Sequence, residues 1–240
     1  MPVLTDLPGR RSAGETVQDA LSGVLTYVVN PLVLPPIVIG LLLRSASTNT
    51  REVGGAVAIS VAVFVIGPLV LASRAIRRGA SESLELPDRE TRRKMLPSAA
   101  IIVIVGAVAS RPWSIEGGGI LAWVYAAYAV GAISLIPLYR RSKISIHAAG
   151  LGSAASMLAL ASVMVSTSPC VPVVAPIPSP VLAAGVFLAI PIVGWARVRR
   201  RAHSWSEIAA GFLLGVSVPT LIWIVWSQMG VPVAFCAPGS

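Results

Sequence analysis

Charge is scarce in this chain. Asp, Glu, Lys and Arg make up 12% of its 240 residues, while 55% are hydrophobic. A soluble domain carries about 25% charged residues. A soluble protein of this length has too little interior to hide so much apolar surface, so the composition points to the bilayer. Other shortages narrow the class further. Residues 1–19 lack the apolar core of a signal peptide, and insertion then rests on the first span. The only lysines, Lys94 and Lys143, fall outside the apolar runs, which excludes a retinal Schiff base. Acidic residues are few and dispersed; Asp88 and Glu90 stand near one another with no partner cluster, so the paired Asp-rich motifs of an intramembrane prenyltransferase are missing. The net charge of +9 comes from short clusters without interleaved aromatics, which speaks against a nucleic-acid groove. No soluble domain, low-complexity segment or internal repeat is visible.

What is present is a series of apolar runs. A span needs about 20 such residues, and candidates lie at 24–43, 54–73, 96–110, 119–139, 146–166, 180–196 and 207–227. The expected fold class is therefore all-α, a polytopic transmembrane bundle of about seven spans. The expected layout is an N-terminal segment over 1–20, the bundle over 21–228 and a short tail over 229–240. Pro35, Pro36, Pro68, Pro191 and Pro219 fall inside these runs, which a bundle tolerates because neighbours re-satisfy the freed backbone groups. The small residues of 148–155 suit close helix packing. The tryptophans lie mostly near span ends, as in an aromatic belt.

Seven spans put the N-terminus and the segments near 74–95, 140–145 and 197–206 on one side. Sixteen of the nineteen Lys and Arg residues lie there. Cytoplasmic loops carry such an excess, so the expectation is a cell-membrane protein with a cytoplasmic N-terminus and an external C-terminus. Cys170 and Cys236 then share the opposite side, where a disulfide and two separate thiols are both compatible with the sequence.

There are only two histidines, His147 and His203. Each lies at the start of a span on the basic side. Lys143 and Ser145 precede His147, and Arg197, Arg199, Arg200 and Arg201 precede His203. Arg89, Arg92, Arg93 and Lys94 precede a third span. Three helix N-termini with cations at one membrane surface suit an anion, because the first N–H groups and the dipole both favour negative charge. Glu207 follows His203 by four residues, within reach of its imidazole if one helix covers both. Ser204 to Glu207 also has the spacing of a capping box.

These residues resemble the three motifs of the type 2 phosphatidic acid phosphatase superfamily. The third motif (Ser-Arg, five residues, His, three residues, Asp) is matched in spacing by Ala196-Arg197, His203 and Glu207. The second (Pro-Ser-Gly-His) is matched by Ser145 and His147 within 144–147. The first (Lys, six residues, Arg-Pro) is matched by Arg89 and by Pro97 after Leu96. Ile146 stands where the family has Gly, Leu96 where it has Arg, Ala196 where it has Ser and Glu207 where it has Asp. The resemblance covers roughly residues 85–225. It implies a phosphatase in which His203 attacks phosphorus, Glu207 orients it and His147 protonates the leaving oxygen. Arg197, Lys143, Ser145, Arg89 and Arg93 would bind the phosphate. It implies no metal and no other cofactor, and a lipid or isoprenyl phosphate as substrate, held among membrane lipids with the site on the cytoplasmic side. The competing expectation is a non-catalytic transporter or lipid-binding relative. Oligomeric state stays open.

Overall fold

The computed structural model describes residues 13–28, 30–46, 49–80, 89–111, 118–167 and 180–230. Among them the chain forms nine α-helices and no strand: α1 (Ala13–Val28), α2 (Leu34–Ala46), α3 (Thr50–Val61), α4 (Gly67–Arg77), α5 (Arg89–Ser110), α6 (Gly118–Leu138), α7 (Ile146–Thr167), α8 (Pro180–Arg199) and α9 (Trp205–Gln228). A π turn, Ala62–Ile66, joins α3 to α4, so Thr50–Arg77 is one continuous span. Six helices are long and apolar enough to cross a membrane, and α2 is a shorter apolar helix. The protein is a polytopic helical membrane protein. Cys170 and Cys236 lie outside the described residues, as does most of the tail over 229–240.

Two expected boundaries move. The run 24–43 is two helices, because Asn30 and Pro31 break it. The Asn30 side chain accepts the Leu32 N–H at 2.9 Å, and its carbonyl accepts the Val33 N–H at 3.0 Å. This local turn competes with the helix. Pro35 and Pro36 then occupy the first turn of α2, where a missing N–H costs nothing. The second shift concerns α5. It begins at Arg89, seven residues before the apolar run, so the basic cluster is its first two turns rather than a preceding loop. Arg93 and Glu90 support that start as an i, i+3 pair at 2.6 Å.

The core forms where α2, α3, α6 and α7 meet, around Ile39, Leu42, Phe64, Trp123, Tyr125, Met157 and Leu158. Trp123 is thus not an interfacial residue; its indole N–H donates to the Pro219 carbonyl at 2.9 Å. Ile101 and Val105 of α5, and Phe187 and Leu188 of α8, face outward, as lipid-facing residues do.

The closest helix pair is α7 with α9. A Cβ on Gly211 would overlap the Ser145 carbonyl, and one on Gly215 would overlap the Ala149 carbonyl. One on Gly152 would sit 2.7 Å from the Phe212 carbonyl. Small residues four apart let the two backbones touch, the usual device where lipid gives helices no hydrophobic reason to associate. Proline explains one polar contact in this seam. Pro219 has no N–H to give the Gly215 carbonyl one turn back. The Ser153 hydroxyl of α7 donates to that carbonyl instead, at 3.0 Å. We expect Ser153→Ala to orphan it and lower stability by about 1–2 kcal/mol, read as a drop in thermal unfolding in detergent; an unchanged midpoint would refute the tie. The π turn has a similar origin: it places Pro68, in the first turn of α4, after a widened loop in which Gly67 N–H reaches back to the Ala62 carbonyl.

Candidate functional site

The starts of α7 and α9 and the end of α8 meet at one end of the bundle. The Ser145 N–H donates to the Glu207 carbonyl at 3.2 Å. The start of α5 reaches the same end: Leu96 is buried beside Ile144, with Ile146 and Ala210 packed against the pair. The Thr91 hydroxyl donates to the Ala80 carbonyl at 3.0 Å, tying α5 to the turn that ends α4. The basic segments therefore share one end of the molecule.

His203 is the centre of this cluster. Chain geometry aims it there. After α8, the Arg201 N–H donates to the Val198 carbonyl at 2.9 Å and the Ala202 N–H to the Arg197 carbonyl at 3.0 Å, the paired bonds of a Schellman turn. That turn requires a left-handed residue, and Arg201 takes the role at φ 52°. Glycine is the relaxed choice here. Arg201→Gly should therefore raise stability by about 0.5–1 kcal/mol, checked by thermal unfolding; a fall would show that the Arg201 side chain holds the turn.

His203 lies one residue before Ser204, the N-cap of α9, so it is not on a helix face with Glu207. The two meet nonetheless. Glu207 forms the expected capping box: its N–H donates to the Ser204 hydroxyl at 3.3 Å, and its Oε2 accepts the Ser204 N–H at 3.0 Å. The same Oε2 lies 3.4 Å from His203 Nδ1, and Oε1 accepts the Lys143 N–H at 3.2 Å. His203 Nδ1 is 2.9 Å from the Lys143 carbonyl. A carbonyl can only accept, so Nδ1 carries a proton, and in the neutral ring Nε2 holds the lone pair. The His203 side chain is wholly buried.

The other expected site residues are distributed unevenly. Lys143 and Ser145 enter the cluster through their backbones, and Ser145 is buried with its hydroxyl accepting the Ala148 N–H at 3.4 Å. Arg197 is 2% exposed in the last turn of α8, a deep position for a guanidinium. His147 is half-buried in the first turn of α7, two residues beyond Ser145. Arg93 is paired with Glu90 through two hydrogen bonds at 2.9 and 2.6 Å. Those bonds, with the nearby charges of Arg93 and Lys94, hold the Glu90 carboxyl below its usual range. Arg89 opens α5, and its side chain lies outside the described residues.

One contributor was not foreseen. The Tyr139 hydroxyl, fully buried, donates to the Ile144 carbonyl at 2.8 Å. It pins the segment carrying Lys143 and Ser145. Its only sequence signal is a tyrosine at the end of an apolar run.

Among the described residues no three His, Cys, Asp or Glu side chains group as a metal site would require. Comparison with family models, with curated proteins and with solved structures finds no match for this chain.

Proposed function

We propose that the chain is a membrane phosphatase that hydrolyses a lipid phosphate or isoprenoid (di)phosphate through a phosphohistidine at His203. One observation carries the proposal. The Lys143 carbonyl fixes the proton on Nδ1, and the Glu207 carboxylate stands at 3.4 Å from it. Nε2 is thereby the nucleophilic nitrogen, and the carboxylate stabilises the positive charge the ring gains as Nε2 bonds to phosphorus. Arg197 and the N–H groups opening α7 supply positive potential for the phosphate oxygens. His147, in that same turn, donates a proton to the leaving oxygen as the bond from phosphorus to it breaks. A water then attacks the phosphohistidine and gives its proton to His147, releasing phosphate and returning Nε2 its lone pair. The Lys and Arg excess expected on this side supports a cytoplasmic face for the site.

Full burial of the His203 side chain favours a second reading. In it the network is a structural tie, and the protein binds or moves lipids without chemistry. One experiment separates the two: phosphate release from a panel of lipid and isoprenyl mono- and diphosphates, in detergent with EDTA, by the parent and by His203→Ala. The phosphatase reading expects release by the parent and a loss on the order of 10⁴-fold or more in the variant. No release from any substrate by folded parent protein would leave the second reading.

A further inference from the structure

The proton on His203 Nδ1 has two oxygens near it. The Lys143 carbonyl is 2.9 Å away and Glu207 Oε2 is 3.4 Å away. Which of them takes the proton matters for the other nitrogen. A neutral carbonyl adds little to the basicity of an imidazole. A carboxylate in direct contact favours the charged ring and holds an added proton on it more tightly. That added proton would occupy the lone pair a nucleophile needs.

The carbonyl wins only while segment 143–145 stays in place. Four of its backbone groups are tied down. The Lys143 and Ser145 N–H groups both donate to Glu207, to Oε1 and to the main-chain carbonyl, each at 3.2 Å. The Lys143 carbonyl meets His203. The Ile144 carbonyl accepts the Tyr139 hydroxyl at 2.8 Å. Three of these four bonds lead to His203 or Glu207, so they let the segment drift together with the start of α9. The bond from Tyr139 is the one of the four that holds it from α6. Tyr139 suits an anchor: it is fully buried, packs with Leu96, Leu135 and Ile144, and donates its own N–H to the Leu135 carbonyl at 2.8 Å.

We propose that Tyr139 is a positioning residue for His203. Its hydroxyl holds the Ile144 peptide, and with it the neighbouring Lys143 carbonyl, against Nδ1. The ring proton then goes to a neutral acceptor while the Glu207 carboxylate stands farther off. This deepens the phosphatase reading, and its consequence for rate rests on that reading. The other charged or titratable groups around the ring are Lys143 and His147 from the α7 side and Arg197 and Arg199 from α8. All of them keep their charge when Tyr139 becomes Phe.

The test is NMR of the detergent-purified protein labelled with ¹⁵N-histidine. There are only two histidines, so His147→Gln leaves the His203 ring alone in the spectrum. Each variant is built on Gly185→Ala, whose new methyl meets nothing within 4 Å and adds helix propensity. Tyr139→Phe is expected to raise the pH at which the His203 signal titrates by about one unit. The same change on Glu207→Gln should not move it, because no carboxylate is left to take over the proton. Ser153→Ala, which also frees a buried carbonyl, should not move it either. No shift in Tyr139→Phe would make Tyr139 a structural tie and overturn the proposal. A shift that persists on Glu207→Gln, or that Ser153→Ala reproduces, would overturn it in favour of general loosening. Glu207→Gln alone decides the matter if Tyr139→Phe does not fold: the Nδ1–H signal should stay where the parent has it, and a displaced signal would show that the carboxylate was the acceptor. The rate is a separate readout. The acid limb of phosphate release should move up in Tyr139→Phe by the same unit, whereas a parent that releases no phosphate would sink the phosphatase reading and leave the titration result intact.

Discussion

Gly215→Ala is expected to lower stability by about 3 kcal/mol. Added methyl groups in a packed interior cost about 1–3 kcal/mol, and this site is at the upper end. The new Cβ would meet the Ala149 carbonyl, its carbon and its Cα, all backbone atoms of the facing helix. No rotamer change relieves such a clash, so α7 and α9 must separate. Separation also stretches the Ser153 bond to the Gly215 carbonyl. The same substitution has the opposite sign elsewhere in this protein. Gly131 in α6 and Gly185 in α8 face nothing within 4 Å. Alanine there should add about 0.5–1 kcal/mol, through helix propensity alone. Thermal unfolding of the three variants in one detergent checks the contrast. A Gly215→Ala midpoint equal to that of Gly131→Ala would mean that the helices do not touch.

The second large effect concerns Glu207, whose carboxylate accepts two main-chain donors and stands beside a histidine ring. Both oxygens accept main-chain N–H groups, from Ser204 and Lys143, and one lies beside His203 Nδ1. Glu207→Gln keeps the shape but turns an NH₂ group toward one of those N–H donors. We expect a stability loss of about 1–3 kcal/mol together with a fall in turnover of about 10²–10⁴-fold. The two readouts answer different questions. A lower unfolding midpoint with unchanged phosphate release would make Glu207 a helix cap only. A lower rate at little cost in stability would place its charge in the transition state.

Some of this was legible in the sequence, for identifiable reasons. α6, α7 and α9 fall within two residues of the expected runs 119–139, 146–166 and 207–227, because those runs are apolar from end to end and well bounded. The capping box was legible because it is a local pattern. The break at Asn30-Pro31 was not, since a hydropathy window sees apolar neighbours and not a side chain that bonds its own backbone. The start of α5 was missed for the converse reason: charged residues look like loop until Glu90 and Arg93 pair one turn apart. Pro219 announces that the Gly215 carbonyl needs a donor, but not that Ser153, 62 residues earlier, supplies it. At the candidate site, spacing placed Glu207 near His203. The decisive partner, the Lys143 carbonyl, was invisible because any residue has a carbonyl and only the fold brings this one within 2.9 Å.

The carboxylate that starts α9 also has a consequence for biogenesis. α9 follows the other described helices in the chain, so a ribosome delivers Glu207 to the membrane after Lys143, Ser145 and Arg197 are already there. Until α9 inserts, the Glu207 carboxylate cannot accept the Lys143 N–H or stand beside His203. Completion of this hydrogen-bonded cluster therefore waits on insertion of that helix.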